Sequence, residues 1–327
     1  MKRVVSGMRP TGKMHLGNYF GAIRNWIDLQ QKYESYYFIA DWHALTSHYA
    51  ESKEVRSWII PMVKDLIAAG LEPDRCTLFL QSEVKEHAEL YLLFSMFTSV
   101  PRLERVPTYK DIKNQLEGEK DLANLGFLGY PVLQTADILI YKGDFVPVGK
   151  DQEYHIELAR EIARKFNSLY SEVFPEPKAI FTEIPVLTGL DGRKMSKSYN
   201  NTLELNIPFS EVKKKIMPMK TDVNRKRKTD PGDPEKCPVW NLHKLFDNDE
   251  ELELIKDSCT NAKFGCVNCK KILLKNLEKF YSDFHENRAK LSDEDIRDLI
   301  LQGSEKARKE AQNTLELVRG AMGWKNL

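Results

Sequence analysis

No stretch of this chain approaches the ~20 consecutive apolar residues that span a bilayer. Its Met1-Lys2-Arg3 start runs into an apolar segment too short for a secretory leader, so a cytoplasmic protein with no membrane partner is expected. The chain also lacks an excess of either charge: 49 Lys and Arg against 48 Asp and Glu leave +1. That balance excludes a general cationic coat for DNA and restricts any RNA contact to local patches. Internal repeats and low-complexity segments are missing, which excludes solenoids and disordered linkers. Cysteine is scarce, and of five residues Cys76 stands alone in a strand-like run and reads as core.

What is present is an ordinary globular composition, 42% hydrophobic over 327 residues, enough for one large or two smaller domains. Over residues 1–200, apolar strand-like runs (3–6, 36–40, 76–81, 146–148) alternate with helical patterns (16–31, 54–69, 86–97, 154–166). This alternation predicts an α/β domain with a Rossmann-like parallel sheet, whose ligands sit beyond the carboxyl ends of the strands at the switch point. Residues 201–327 read as helices only (212–217, 243–256, 270–281, 293–322), an all-α second domain interrupted by the breaker at 230–234 and a loop at 259–269.

Two loops carry phosphate chemistry. Lys194-Met195-Ser196-Lys197-Ser198 follows Asp191-Gly192-Arg193 and places two ammonium groups and two hydroxyls on a short glycine-containing loop, a composition suited to a triphosphate. Near the start, Pro10-Thr11-Gly12-Lys13-Met14-His15-Leu16-Gly17-Asn18-Tyr19 joins the first strand to a helix; its glycines admit a ligand to the backbone, and the helix start is an anion site.

In the segment 130–141, helical spacing aligns Tyr130, Gln134, Asp137 and Tyr141 on one face of an otherwise apolar stretch. A carboxylate facing an apolar pocket needs a donor, and an indole, with one N–H and no acceptor, is its complement. A surface acid or a core Asp paired with an arginine would give the same pattern. Two basic patches, residues 211–230 with eight Lys or Arg against three acids and residues 259–280 with five lysines against one glutamate, are candidates for touching RNA or plain solvated faces.

The remaining four cysteines, Cys237, Cys259, Cys266 and Cys269, lie within 33 residues, and such clustering in a cytosolic chain favours a metal over disulfides. Four thiolates suit a tetrahedral Zn²⁺ or a [4Fe-4S] cluster, and the spacing does not decide between them.

His15-Leu16-Gly17-Asn18 and Lys194 to Ser198 together resemble the two signatures of the class I aminoacyl-tRNA synthetases. Gly7-Met8-Arg9-Pro10-Thr11-Gly12, Asp41-Trp42-His43-Ala44-Leu45-Thr46 and Val146-Pro147-Val148-Gly149-Lys150-Asp151-Gln152 narrow the resemblance to the bacterial tryptophanyl-tRNA synthetases, over essentially the whole chain. The resemblance implies that tryptophan and ATP, with Mg²⁺ on the phosphates, give tryptophanyl-adenylate and pyrophosphate, and that tryptophan then passes to tRNA(Trp). It implies that Lys194, Lys197 and Lys110 reach the triphosphate, with His15 and Asn18 also catalytic. Arg9, Thr11, Gly17, Tyr19, Gly149, Lys150, Asp151, Val186, Met195, Ser196 and Ser198 would surround ATP. Asp137 would take the indole, with Tyr130, Gln134, Val146, Val148, Gln152 and His43 around it.

Departures from the family pattern are Asn18 for the class's second histidine, usual in tryptophan enzymes, Gln134 for methionine and Arg9 for glutamine. The four cysteines resemble those of a subset carrying a [4Fe-4S] cluster in the anticodon-binding region, flanked here by Lys263, Lys270, Lys271 and Lys275. A homodimer formed through an insertion around residues 100–185 is likewise implied. Tyrosyl-tRNA synthetase, a tRNA-independent nucleotidyltransferase and a non-catalytic sensor paralog are the alternatives.

Overall fold

Residues 1–107, 124–181 and 187–324 are described by the computed structural model. The chain forms two compact units: Met1–Gly12 with Asn25–Thr182 and Leu291–Leu327, and Lys13–Arg24 with Glu183–Lys290. These bounds differ from a single break at residue 200.

The first unit is built on five parallel strands, β1 (Arg3–Met8), β2 (Glu34–Ile39), β3 (Cys76–Leu80), β4 (Phe145–Val148) and β5 (Lys178–Phe181), in the order β3-β2-β1-β4-β5. The order reverses between β1 and β4, the switch point where parallel sheets open a crevice at their carboxyl ends. Helices Ser52–Ser57, Ile59–Ala68, Glu86–Ser95 and Glu153–Leu169 fall where the apolar periodicity places them. Helix Asp41–His48 was not expected, because its polar sequence carries almost no amphipathic signal. Val5, Phe38, Phe79, Phe94, Ile138, Ile162 and Phe166 centre the core.

The last long helix, Asp293–Ala321, belongs to this unit, although the sequence places it with the second domain. Small residues explain its position. A Cβ at Gly303 would lie 1.9 Å from the Leu78 carbonyl oxygen, so the helix backbone rests on β3. Ser304 Oγ accepts the Leu80 N–H at 3.3 Å, and the edge strand is covered.

In the second unit, residues 13–24 are tied to residues 203–205: Leu16 N–H donates to the Leu203 carbonyl and Leu205 N–H to that of Met14, both at 2.9 Å. Leu16–Asn18 is α-helical and Tyr19–Ile23 is a π-helical turn. The helices Phe209–Ile216, Pro238–Phe246, Asp249–Thr260 and Cys266–Ala289 complete the unit. The single helix expected over 243–256 is two. Asn248 starts a new helix by accepting the Glu251 N–H while the Glu251 carboxylate reaches back to the Asn248 N–H, a reciprocal cap that ends one helix and begins another. The expected loop at 259–269 shrinks correspondingly, since Cys259 lies in a helix and Cys266 begins the next.

Candidate active site

The first unit carries a buried carboxylate at its centre. Asn124 starts the helix Leu125–Leu139 by accepting the Phe127 N–H at 2.9 Å, and three turns later that helix delivers Asp137, which is 0% exposed. Among the described residues no arginine pairs with it. His43 Nε2 stands 2.6 Å from Asp137 Oδ2, His87 Nδ1 2.5 Å from Oδ1, and the Gln81 amide nitrogen 2.9 Å from both oxygens. On its far side His87 Nε2 meets the Tyr141 hydroxyl at 2.6 Å. Burial alone would raise the Asp137 carboxyl; the charges and hydrogen bonds of His43 and His87 overcome it and hold the group at about 2. It is therefore ionised at neutral pH, in a nest made only of donors.

Sequence reasoning placed Asp137, His43 and Tyr141 here but missed Gln81 and His87. Gln81 opens the turn at the carboxyl end of β3, a position at which ligand-facing residues of parallel sheets concentrate, and that was its signal. His87 sits in the first turn of Glu86–Ser95 and carried none.

Tyr130 and Gln134 lie half-buried on the same helix, and the Tyr130 ring is 5.4 Å from that of His155. Burial and the neighbouring His43 lower His155 to about 4. Val146 and Val148 are on β4, and Gly149, Lys150, Asp151 and Gln152 follow at its carboxyl end, where Gln152 donates to Asp151 at 3.2 Å. Arg9 and Thr11 follow β1. Lys110 and Val186 lie outside the described residues.

The second unit brings both signature loops together. A Cβ on Gly17 would crowd the His15 ring of its own signature, at 2.8 Å from Nδ1, and would lie at ordinary contact distance, 3.6 Å, from Met195 Sδ of the other, so the two signatures are neighbours and the His15 ring favours glycine at 17. Asn18 Oδ1 accepts the His15 N–H at 3.0 Å and fixes the helix start, with Tyr19 next in the chain. Burial, then the charge of Lys197, lowers His15 to about 4; it is neutral at pH 7, and its buried Nδ1 has no hydrogen-bond partner among the described residues.

The lysine loop is tied down by Asn201 and by the Met195 N–H, which donates to the Leu187 carbonyl at 2.8 Å. Asn201 accepts the Ser196 N–H at 2.8 Å and donates to Asp191 at 2.7 Å and to the Lys194 carbonyl at 3.0 Å. Met195 is buried, Ser196 and Ser198 share a 2.8 Å hydrogen bond, and Lys194 and Lys197 are exposed. This anchors the loop backbone while leaving two cationic chains at the surface, an arrangement able to engage a polyanion.

Cys237 precedes the helix Pro238–Phe246, Cys259 ends Asp249–Thr260, and Cys266 and Cys269 open Cys266–Ala289. Burial, then the other three sulfurs, push Cys269 up to about 12; Cys259 is also raised by burial, Cys237 and Cys266. The four thiols are thus within electrostatic range, and as thiolates they would repel unless a cation joined them. Among the described residues, however, no three His, Cys, Asp or Glu side chains close into a metal-binding shell. The donor set suits zinc or an iron-sulfur cluster in kind, and its geometry is open.

Beside Cys266, residues 225–228 and 265–268 line a pocket of about 370 Å³ with four cationic side chains. Lys270 is not among the surface cations expected here: it is buried, and its ammonium donates to the Met217 and Met219 carbonyls at 2.7 and 2.6 Å. Lys263 is paired with Asp257. No described helix is long and apolar enough to cross a membrane.

Residues 1–282 match the family of class I tRNA synthetases for W and Y. The chain is 54% identical to the tryptophan-tRNA ligase of Thermotoga maritima, over 98% of each chain. It is 46% identical to the Aquifex aeolicus tryptophan-tRNA ligase, over 98% of this chain and 99% of that one. Among solved structures, the tryptophanyl-tRNA synthetase of Campylobacter jejuni complexed with ADP and tryptophan superposes with a TM-score of 0.89 at 34% identity, covering 98% of this chain and 99% of that one.

Proposed function

Since the chain belongs to the class I tRNA synthetase family that serves tryptophan and tyrosine, we propose a division of labour among its residues for the reaction it carries out, ligation of tryptophan to tRNA. The observation that carries the assignment is Asp137: a fully buried, ionised carboxylate among donors only. Such a group accepts the single indole N–H and gains nothing from phenylalanine, which brings no donor to it, a discrimination on the order of 10⁴-fold or more. Tyr130, Gln134, Val146, Val148, His43 and Gln152 shape the surrounding pocket.

Attack of the tryptophan carboxylate on the α-phosphorus of ATP forms the adenylate and expels pyrophosphate. This in-line displacement depends on positioning and on charge at the departing phosphates. Lys194 and Lys197 supply that charge together with the Mg²⁺ carried by ATP, and Lys110 and the Ser196 and Ser198 hydroxyls assist. His15, neutral and close to Lys197, donates a hydrogen bond toward the phosphates, with Asn18 holding its backbone. Asp151 accepts ribose hydroxyls beside Gly149 and Lys150, and the family resemblance assigns Arg9, Thr11, Gly17, Tyr19, Val186 and Met195 to the nucleotide.

The helices after residue 201 take the anticodon arm through the basic pocket beside Cys266. Cys237, Cys259, Cys266 and Cys269 hold a [4Fe-4S] cluster, or structural zinc in its place, whose part is to close these loops; the homodimer and the cytoplasmic location follow the family resemblance. Charging tests the whole: tryptophan accumulating on tRNA(Trp) with ATP is the expected result, and charging with tyrosine alone overturns it. Iron and zinc content of anaerobically purified protein tests the metal, about four irons per chain being expected and neither metal overturning it.

A further inference from the structure

Asp137 has no oxygen left unserved by its protein neighbours. Oδ1 faces His87 Nδ1 and the Gln81 amide, and Oδ2 faces His43 Nε2 and the same amide, so both carboxylate oxygens are already served. An arriving indole N–H therefore has to take over a position that a protein donor holds.

The three donors differ in how they are held. His87 is fixed at both ring nitrogens, to Asp137 and to the Tyr141 hydroxyl, and its side chain is 0% exposed. Gln81 is likewise 0% exposed; its nitrogen spans both oxygens and its Oε1 accepts the backbone N–H of His43 at 3.3 Å. His43 alone keeps contact with solvent, at 12% for the side chain, and Asp137 is the one partner described for its ring. Releasing His43 breaks one hydrogen bond and leaves the other two donors in place.

We propose that His43 is the resident donor that the substrate replaces: its Nε2–H occupies Asp137 Oδ2 until the indole N–H exchanges with it, while His87 and Gln81 hold the carboxylate throughout. The proposal rests on the reading of Asp137 as the indole acceptor. It makes His43 a specificity-determining residue of a particular kind. Amino acids with an N–H at the right point exchange one charge-assisted bond for another. Those without one must break the His43 bond and leave a buried charge short of a donor, a loss far larger than the missing contact by itself.

Two measurements test this on the full-length protein. With ¹⁵N-labelled histidine, the imidazole N–H protons of His43 and His87, each bonded to a carboxylate, are followed as tryptophan is added, and binding heat is recorded by calorimetry. The expected result is loss or a large shift of the His43 resonance with that of His87 retained. Binding heat with both resonances unchanged overturns the proposal alone; no binding heat overturns the functional reading and the proposal with it. In the second, His43→Ala removes the competing donor and lets water take its place. The expected dissociation constant for tryptophan is then about ten-fold lower, because the indole displaces an exchangeable water instead of a fixed imidazole donor. A constant unchanged or raised shows that His43 helps to hold the ligand and overturns the exchange.

Discussion

Replacing Asp137 by asparagine keeps the side chain's shape and removes its charge, and the network around it fixes the consequence. The carboxylate accepts from His43 at 2.6 Å, His87 at 2.5 Å and Gln81 at 2.9 Å. An amide retains one acceptor oxygen and places an NH₂ where the other stood, so on one side a donor meets donors. If the amide oxygen remains toward His87, the NH₂ faces His43 and the position proposed for the indole N–H. Losing one charge-assisted hydrogen bond costs about 1.5–3 kcal/mol, and an opposed donor adds about 1–3 kcal/mol. The kcat/KM for tryptophan in ATP–pyrophosphate exchange should therefore fall by two to three orders of magnitude. Phenylalanine, which gains nothing from the carboxylate, should change far less. The same variant should lose about 3 kcal/mol of folding stability in urea, since two charge-assisted bonds, to His43 and to buried His87, are weakened together. A fall of less than about five-fold for tryptophan, with the protein folded, would refute the assignment of Asp137 to the indole.

Acid unfolding should show the same residue. Its folded carboxyl is held at about 2, below the ordinary value near 3.9, so the stabilisation is complete above pH ~4 and is lost as pH falls through that window toward 2. About 1 kcal/mol of the acid dependence should be missing from Asp137→Asn, as read by urea midpoints at pH 5 and pH 3. Removing either ammonium, in Lys194→Ala or Lys197→Ala, should lower the exchange rate about 10²–10³-fold while leaving the tryptophan dissociation constant within about two-fold. Gly303→Ala should destabilise by about 3 kcal/mol or more, because the new methyl overlaps the Leu78 carbonyl and the long helix must lift from β3; an unchanged urea midpoint would contradict that packing.

The parallel sheet was legible because β1 to β4 are apolar runs separated by periodic helices. β5 was not, since Lys178–Phe181 is four residues long at a sheet edge and shows no alternation of burial. The boundary between the units was also illegible. Residues 291–322 read as another helix of an all-α region, and it is contacts far away in the chain, Gly303 and Ser304 against β3, Glu310 with Arg3 and Arg319 with Glu89, that assign them to the sheet. In the site, the signature loops stood out because their glycines, lysines and serines are local and adjacent. The partners of Asp137 are 94, 56 and 50 residues away in the chain, for His43, Gln81 and His87 respectively. Burial created that network, and no local pattern announces it.

The reading of this chain turns on a carboxylate that selects an indole. The most direct measurement is kcat/KM in ATP–pyrophosphate exchange for tryptophan beside tyrosine and phenylalanine, on one preparation of the full-length protein. The account predicts a preference for tryptophan over phenylalanine on the order of 10⁴ or more, with tyrosine also rejected. Exchange driven equally well by tyrosine, or a preference that survives in Asp137→Asn, would contradict it.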